Sequence, residues 1–88
     1  MAMEFPDIIQ TISQLQQNNT QYITVKRLRK VLGIDSEDAK MIRKLSNTLS
    51  WLEHFGFIEL AQQQNFKRYR IPPDFTEKVQ DVIRIYRR

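Results

Sequence analysis

Residues 45–60, LSNTLSWLEHFGFIEL, change their hydrophobic period within a short stretch. Leu45, Leu49 and Leu52 recur at spacings of four and three, which is typical of the buried face of an α-helix. After Gly56 the run FIEL is rich in strand-forming residues, and glycine often ends helices because it adopts the left-handed backbone readily. We therefore expect a helix to end at Gly56 and a strand to follow it directly, so that both share one core.

Start and stop signals divide the rest of the chain into further elements. Pro6 suits a first helical turn, and Thr24 is a good N-cap for a second helix that Gly33 would end. Asp74, with Glu77 three residues later, resembles a capping box at the start of a final helix. The predicted elements are helices over residues 6–17, 24–33, 36–55 and 74–87, and a β-hairpin over 57–71 with the polar tip QQQN. At 88 residues the chain forms one domain, and the predicted fold class is mainly α with a small β-hairpin.

The third helix and the hairpin each have two predicted faces. Asp35 and Ser36 are both suitable N-caps, so we expect the third helix to begin there. Its predicted buried stripe consists of Ala39, Ile42, Leu45, Leu49, Leu52 and Phe55. On or near the opposite face lie Lys40, Arg43, Asn47, Ser50, Trp51 and His54. In the hairpin, alternation places Tyr69 and Ile71 on one side of the returning strand and Arg68 and Arg70 on the other.

Composition argues against several kinds of active site. Cysteine is absent and His54 is the only histidine, which rules out thiolate metal sites and imidazole clusters. No phosphate-cradling glycine loop and no convincing carboxylate pair accompanies His54, so we predict no enzymatic activity, no cofactor and no small-molecule ligand. No apolar run approaches the ~18 residues of a membrane span, and the start MAMEFPD is acidic, unlike a signal peptide. We expect a soluble cytoplasmic protein.

The positive charge is unevenly distributed along the chain. The formal net charge is +4, yet all fourteen Lys and Arg residues lie between Lys26 and Arg88. The clusters are Lys26, Arg27, Arg29 and Lys30; Lys40, Arg43 and Lys44; Lys67, Arg68 and Arg70; and Arg84, Arg87 and Arg88. Any one cluster is compatible with a solvated helix face. Several clusters on one face would instead indicate a polyanionic partner.

The stretch LSNTL followed by LEHFGFI resembles the recognition helix and first wing strand of winged helix-turn-helix DNA-binding domains, as in small prokaryotic transcriptional regulators. Upstream, TVKRLRKVLGI is similar to the first helix of the helix-turn-helix pair, and FKRYRIP is similar to the returning strand of the wing. The resemblance covers residues 5–72. It implies three helices and a wing, to which the final helix is an addition.

The resemblance also implies roles for individual residues. The third helix would enter the major groove, while cations of the second helix and the wing would contact phosphates. Asn47 can pair with adenine and Arg43 with guanine, although a plain solvent-facing position is the alternative for Asn47. The implied DNA-binding residues are Lys26, Arg27, Lys30, Lys40, Arg43, Lys44, Asn47, Ser50, Lys67, Arg68 and Arg70.

One spacing departs from the family pattern. Gly33 and Ser46 are thirteen residues apart, whereas family members place the corresponding glycine closer to the serine. Either the recognition helix is extended at its start, or a separate turn fills residues 35–40. In the second case Lys40 need not lie on the helix.

The final helix carries an apolar stripe with two alternative uses. The stripe consists of Phe75, Val79, Val82, Ile83 and Tyr86. It can pack on the chain's own core, or it can form a homodimer that places two recognition helices on half-sites about 34 Å apart.

The leading functional prediction is a dimeric transcriptional regulator that binds double-stranded DNA and is associated with the nucleoid. A DNA partition or chromatin-organising protein would use the same surface. The alternative from another class is a protein-interaction module of a replication or transcription assembly, because winged helices serve both purposes.

Overall fold

Four helices and a three-stranded antiparallel sheet make up the part of the chain that the computed structural model describes, residues 4–86. The helices are α1 (Phe5–Gln17), α2 (Val25–Val31), α3 (Ala39–His54) and α4 (Phe75–Tyr86). The strands are β1 (Tyr22–Ile23), β2 (Glu59–Gln62) and β3 (Arg68–Arg70), and their order across the sheet is β1-β3-β2. The predicted class, mainly α with a small β-hairpin, is confirmed. Arg87, the last residue of the predicted final helix, lies outside the described residues, and no helix within 4–86 is long and apolar enough to cross a lipid bilayer.

Local signals fix the ends of the first two helices. The backbone N–H of Glu4 donates to Asp7 Oδ2 at 3.0 Å at the start of α1. The Thr24 hydroxyl accepts the backbone N–H of Arg27 at 3.1 Å, which confirms Thr24 as the N-cap of α2. Gly33 has φ +70°, a backbone conformation that favours glycine, so the chain turns there as predicted.

Helix α3 begins later than predicted. Asp38, rather than Asp35 or Ser36, is its N-cap and accepts the backbone N–H of Met41 at 3.1 Å. Asp35 accepts the N–H of Glu37 at 2.9 Å and so closes a turn before the helix. A separate turn therefore fills most of the extra spacing between Gly33 and Ser46, and Lys40 still lies on the first turn of α3.

The buried face of α3 differs from the predicted stripe at both ends. Leu45, Leu49 and Leu52 are fully buried as predicted, and Ile42 is half-buried. Ala39 is exposed and Phe55 is 57% exposed, so these two assignments are wrong. Phe55 lies about 70° around the helix from the middle of the buried face, and its ring packs on Trp51 at a centroid distance of 4.6 Å instead.

Helix α4 packs against α1 within the same chain. Phe75 and Val79 are 0% and 1% exposed in the common core, so the prediction that they present a dimer surface is wrong. Hydrogen bonds join the same two helices, including one of 2.6 Å between the hydroxyls of Ser13 and Thr76. Val82 and Ile83 are half-buried against this core, and the side chain of Tyr86 lies outside the described residues. Homodimerisation itself stays a prediction.

The sheet includes a strand that the sequence did not predict. In β1, Tyr22 pairs with Arg70 and Ile23 with Tyr69, and the hairpin strand β2 pairs with the other side of β3. The predicted alternation in β3 is confirmed: Tyr69 and Ile71 are buried, whereas Arg68 and Arg70 are partly exposed. Because only Thr24 separates β1 from α2, this pairing brings the hairpin beside the start of α2.

Candidate nucleic-acid interface

A cleft between α2, β1 and the returning arm of the hairpin collects cations from two separate charge clusters. The basic cleft is defined here by Lys26, Arg27, Arg29, Lys30, Lys67 and Arg68. Its other lining residues are Tyr22, Thr24, Val25, Val31, Ile42, Ser46, Phe66 and Tyr69. Among residues 4–86, no Asp or Glu lines this cleft, so nothing on its walls compensates the positive charge.

Two local features point these cations out of the core. In α2 the buried Leu28 faces the core, so that Lys26, Arg27 and Lys30 project into solvent. In β3 the buried Tyr69 has the same effect on its neighbour Arg68. Helical period on one wall and strand alternation on the other therefore point the cations outward, and the pairing of β1 with β3 brings the two walls together.

Aromatic rings orient Arg68 inside the basic cleft. Its guanidinium carbon lies 5.7 Å from the centre of the Tyr22 ring and 6.0 Å from that of Phe66. Tyr22 and Phe66 are 44% and 49% exposed, so their rings remain accessible beside the cation. Neither ring is among the residues predicted to bind DNA. The signal that would have found Phe66 is its place directly before the basic run KRYR.

Two arginines of the basic clusters make contacts within the chain. Arg29, which the sequence analysis did not select as a DNA-binding residue, donates to the carbonyl of Ile34 at 2.9 Å. Arg70 is grouped with Lys67 and Arg68 by sequence, but it lies outside the basic cleft. It donates to Glu59 Oε1 at 2.7 Å, because strand register places the two residues opposite each other. The charge of Arg70 is thus locally compensated.

All but one of the residues predicted to face the major groove line a second depression. We call it the α3/α4 groove; its lining residues are Phe5, Lys40, Arg43, Lys44, Asn47, Thr48, Trp51, Val82 and Ile85. Ser50 is exposed on α3 but lines neither depression, whereas Ile42 and Ser46 of α3 line the basic cleft. Helix α3 therefore separates the two depressions. Ser46, Arg43, Ser50 and Asn47 fall within about 100° of one another on its exposed side.

His54 and the acidic side chains of residues 4–86 line neither the basic cleft nor the α3/α4 groove. His54 is exposed, and its ring meets that of Phe55 edge-on at 5.0 Å. Within residues 4–86, no group of three or more His, Cys, Asp or Glu side chains is arranged to hold a metal ion. The described lining of both depressions consists of cations, hydroxyls, aromatic rings and aliphatic side chains, and Asn47 adds an amide to the second depression.

Comparison of the chain with protein-family models, curated proteins and solved structures found no significant match.

Proposed function

We propose that this chain is a winged helix-turn-helix domain that binds double-stranded DNA, acting as a transcriptional regulator. The observation that carries the proposal is the basic cleft, where five of the predicted phosphate-contacting cations meet without a carboxylate among the described lining residues. The order of three helices and a hairpin is also the order that the family resemblance implies, and α4 follows as an addition.

The two walls of the basic cleft would hold the phosphate backbone. Duplex DNA carries one negative charge per about 1.7 Å of axis, so cations clustered on α2 and the hairpin can neutralise several phosphates at once. Such contacts fix the position of the protein on the duplex without reading the sequence. Arg68, held near the Tyr22 and Phe66 rings, would make one of these contacts.

The exposed side of α3 would enter the major groove. An α-helix fits this groove, and Arg43, Asn47 and Ser50 are polar residues on the outward side of α3. Ser46 lines the basic cleft, and its neighbour Asn47 lines the α3/α4 groove. The outward face of α3 would therefore begin directly beside the cations proposed to bind phosphates.

Lysine protection tests the proposed surface directly. The protein is treated with an acetylating reagent, with and without a DNA duplex, and modified lysines are quantified by mass spectrometry. We expect the duplex to slow acetylation of Lys26, Lys30 and Lys67 severalfold. Lys78 on α4, whose side chain is 52% exposed, should react at an unchanged rate and serves as the internal control. Equal protection of Lys78, or no protection of the three cleft lysines, would contradict the proposal.

Replacing Asn47 with alanine should change which duplexes are preferred. A bidentate amide contact with adenine discriminates against other bases by about 1–3 kcal/mol, so one position of a selected binding site should lose its preference. The measurement is binding-site selection followed by competition between single-base variants, with Gln14→Ala on α1 as the matched control. If Asn47→Ala weakens binding to every duplex equally, Asn47 does not read a base. Partition or compaction of DNA would then fit the protein better than sequence-specific regulation.

A further inference from the structure

The α3/α4 groove exposes large apolar side chains that the DNA-binding proposal does not use. Trp51 is 37% exposed, and Ile85, near the end of α4, is 70% exposed. Phe55, in contact with Trp51, is 57% exposed. Apolar surface of this kind, rimmed by polar residues, is typical of interaction sites.

Neighbouring aromatic rings hold the Trp51 ring of the groove in place. Phe5 meets the Trp51 ring edge-on at 4.9 Å, and Phe57 stacks beside it at 5.9 Å. A large ring fixed by such contacts loses little further conformational freedom when a partner covers it. Tryptophans in this setting frequently contribute much of the binding energy at interfaces.

The rim of the groove is positively charged. Lys40, Arg43 and Lys44 line it, and no Asp or Glu does so in the part of the chain that the structure describes. Lys40, Lys44, Asn47 and Trp51 are spaced four, three and four residues apart, which places them along one side of α3. At 1.5 Å per residue this side is about 16 Å long, or three helical turns.

We propose that the α3/α4 groove binds an amphipathic helix of a partner protein, with an apolar stripe on Trp51 and Ile85 and acidic residues facing Lys40 and Lys44. Recognition of an amphipathic helix in an apolar groove requires a binding surface a few turns long, which α3 supplies. We infer acidic residues on the partner helix because the rim of the groove is positively charged. Since no carboxylate belongs to the described lining of the groove, a basic or neutral helix would leave that charge uncompensated.

A second copy of this chain is a poorer occupant. In a two-fold dimer the same patch contacts itself, so the Lys40, Arg43 and Lys44 sets of both copies would lie in one interface, with no carboxylate among its described lining residues. An interface that gathers charges of one sign without compensation is unfavourable. A partner helix would also cover Arg43 and Asn47, and it would therefore compete with DNA for the exposed side of α3.

Trp51 is the only tryptophan in the chain and lies in the groove, so its fluorescence reports binding without a label. The probe is a synthetic helical peptide with leucines along one face and glutamates on both flanks. One comparison peptide replaces glutamate with lysine, and another scrambles the leucine positions. We expect a saturable change in Trp51 emission with the glutamate peptide alone. Because no DNA is present, the outcome does not depend on whether the chain binds DNA.

Two variants and one control locate the binding site. Ile85→Asp and the double variant Lys40→Glu/Lys44→Glu should each weaken the glutamate peptide about tenfold or more, whereas Val31→Asp should not. Val31, like Ile85, is an exposed aliphatic residue, with 50% of its surface accessible. It lies in the basic cleft rather than in the α3/α4 groove, so it controls for the introduced charge. Equal binding of the lysine peptide, or unchanged binding by both variants, would overturn the proposal. So would light scattering that gives twice the 10.6 kDa chain mass for the wild type and a single chain for Ile85→Asp, because a second copy would then occupy the groove.

Discussion

Replacing Phe75 with alanine should lower the free energy of unfolding by about 3–5 kcal/mol. Phe75 is completely buried in the core that α4 shares with α1, so the shorter side chain loses apolar contacts and leaves a cavity. A domain of this size has a total stability of only about 5–15 kcal/mol, and the variant should unfold at much lower denaturant concentration. The measurement is urea unfolding followed by circular dichroism.

The control for Phe75 lies on the same helix. Ile85 is 70% exposed, and Ile85→Ala should change the free energy of unfolding by no more than about 0.5 kcal/mol. A cost below about 1 kcal/mol for Phe75→Ala would contradict the packing of α4 on its own chain. That result would restore the prediction that the α4 stripe is available to a second copy.

Removing four charges from the basic cleft should weaken binding to every DNA duplex. The variant replaces Lys26, Arg27, Lys67 and Arg68 with glutamine. If each phosphate contact contributes about 0.5–1 kcal/mol, the affinity at low salt falls roughly 30- to 1000-fold. The loss should be the same for all sequences, because phosphate contacts carry no base information. The measurement is fluorescence anisotropy with several labelled duplexes.

A pair of double variants separates local charge from net charge. Lys67→Gln/Arg68→Gln removes two positive charges from the basic cleft, and Lys78→Gln/Arg84→Gln removes two from α4. Lys78 forms an ion pair with Asp74, and Arg84 forms one with Asp81. We expect only the first double variant to lose most of its duplex affinity. Equal losses would mean that DNA responds to overall charge rather than to the cleft.

Helical period predicted the fold best where the buried face is continuous. Leu45, Leu49 and Leu52 were identified correctly, because their spacing alone defines one side of α3. The start of α3 was misplaced, since Asp35, Ser36 and Asp38 are all competent caps and local propensity does not rank them. Helical period identifies an apolar stripe but not the surface that covers it. The sequence therefore left open whether the stripe of α4 packs on the core of its own chain or on a second copy.

Strand pairing explains most of what the sequence could not predict about the site. The two-residue strand β1 is too short to carry an alternating pattern, and it forms because Tyr22 and Ile23 pair with β3. That pairing brings the hairpin to α2, so the outward direction of Arg68 was predictable but its position beside α2 was not. The same register pairs Arg70 with Glu59 and removes it from the cleft.

The salt dependence of duplex binding tests the central claim most directly. If five cations of the basic cleft each neutralise one phosphate, the logarithm of the affinity should fall with the logarithm of salt concentration with a slope of about −4.5. Between ~50 and ~200 mM salt the affinity should then drop about 500-fold. The four-charge variant, which retains Lys30, should show a slope near −1. A flat response of the wild type over this range would contradict binding of DNA through the basic cleft.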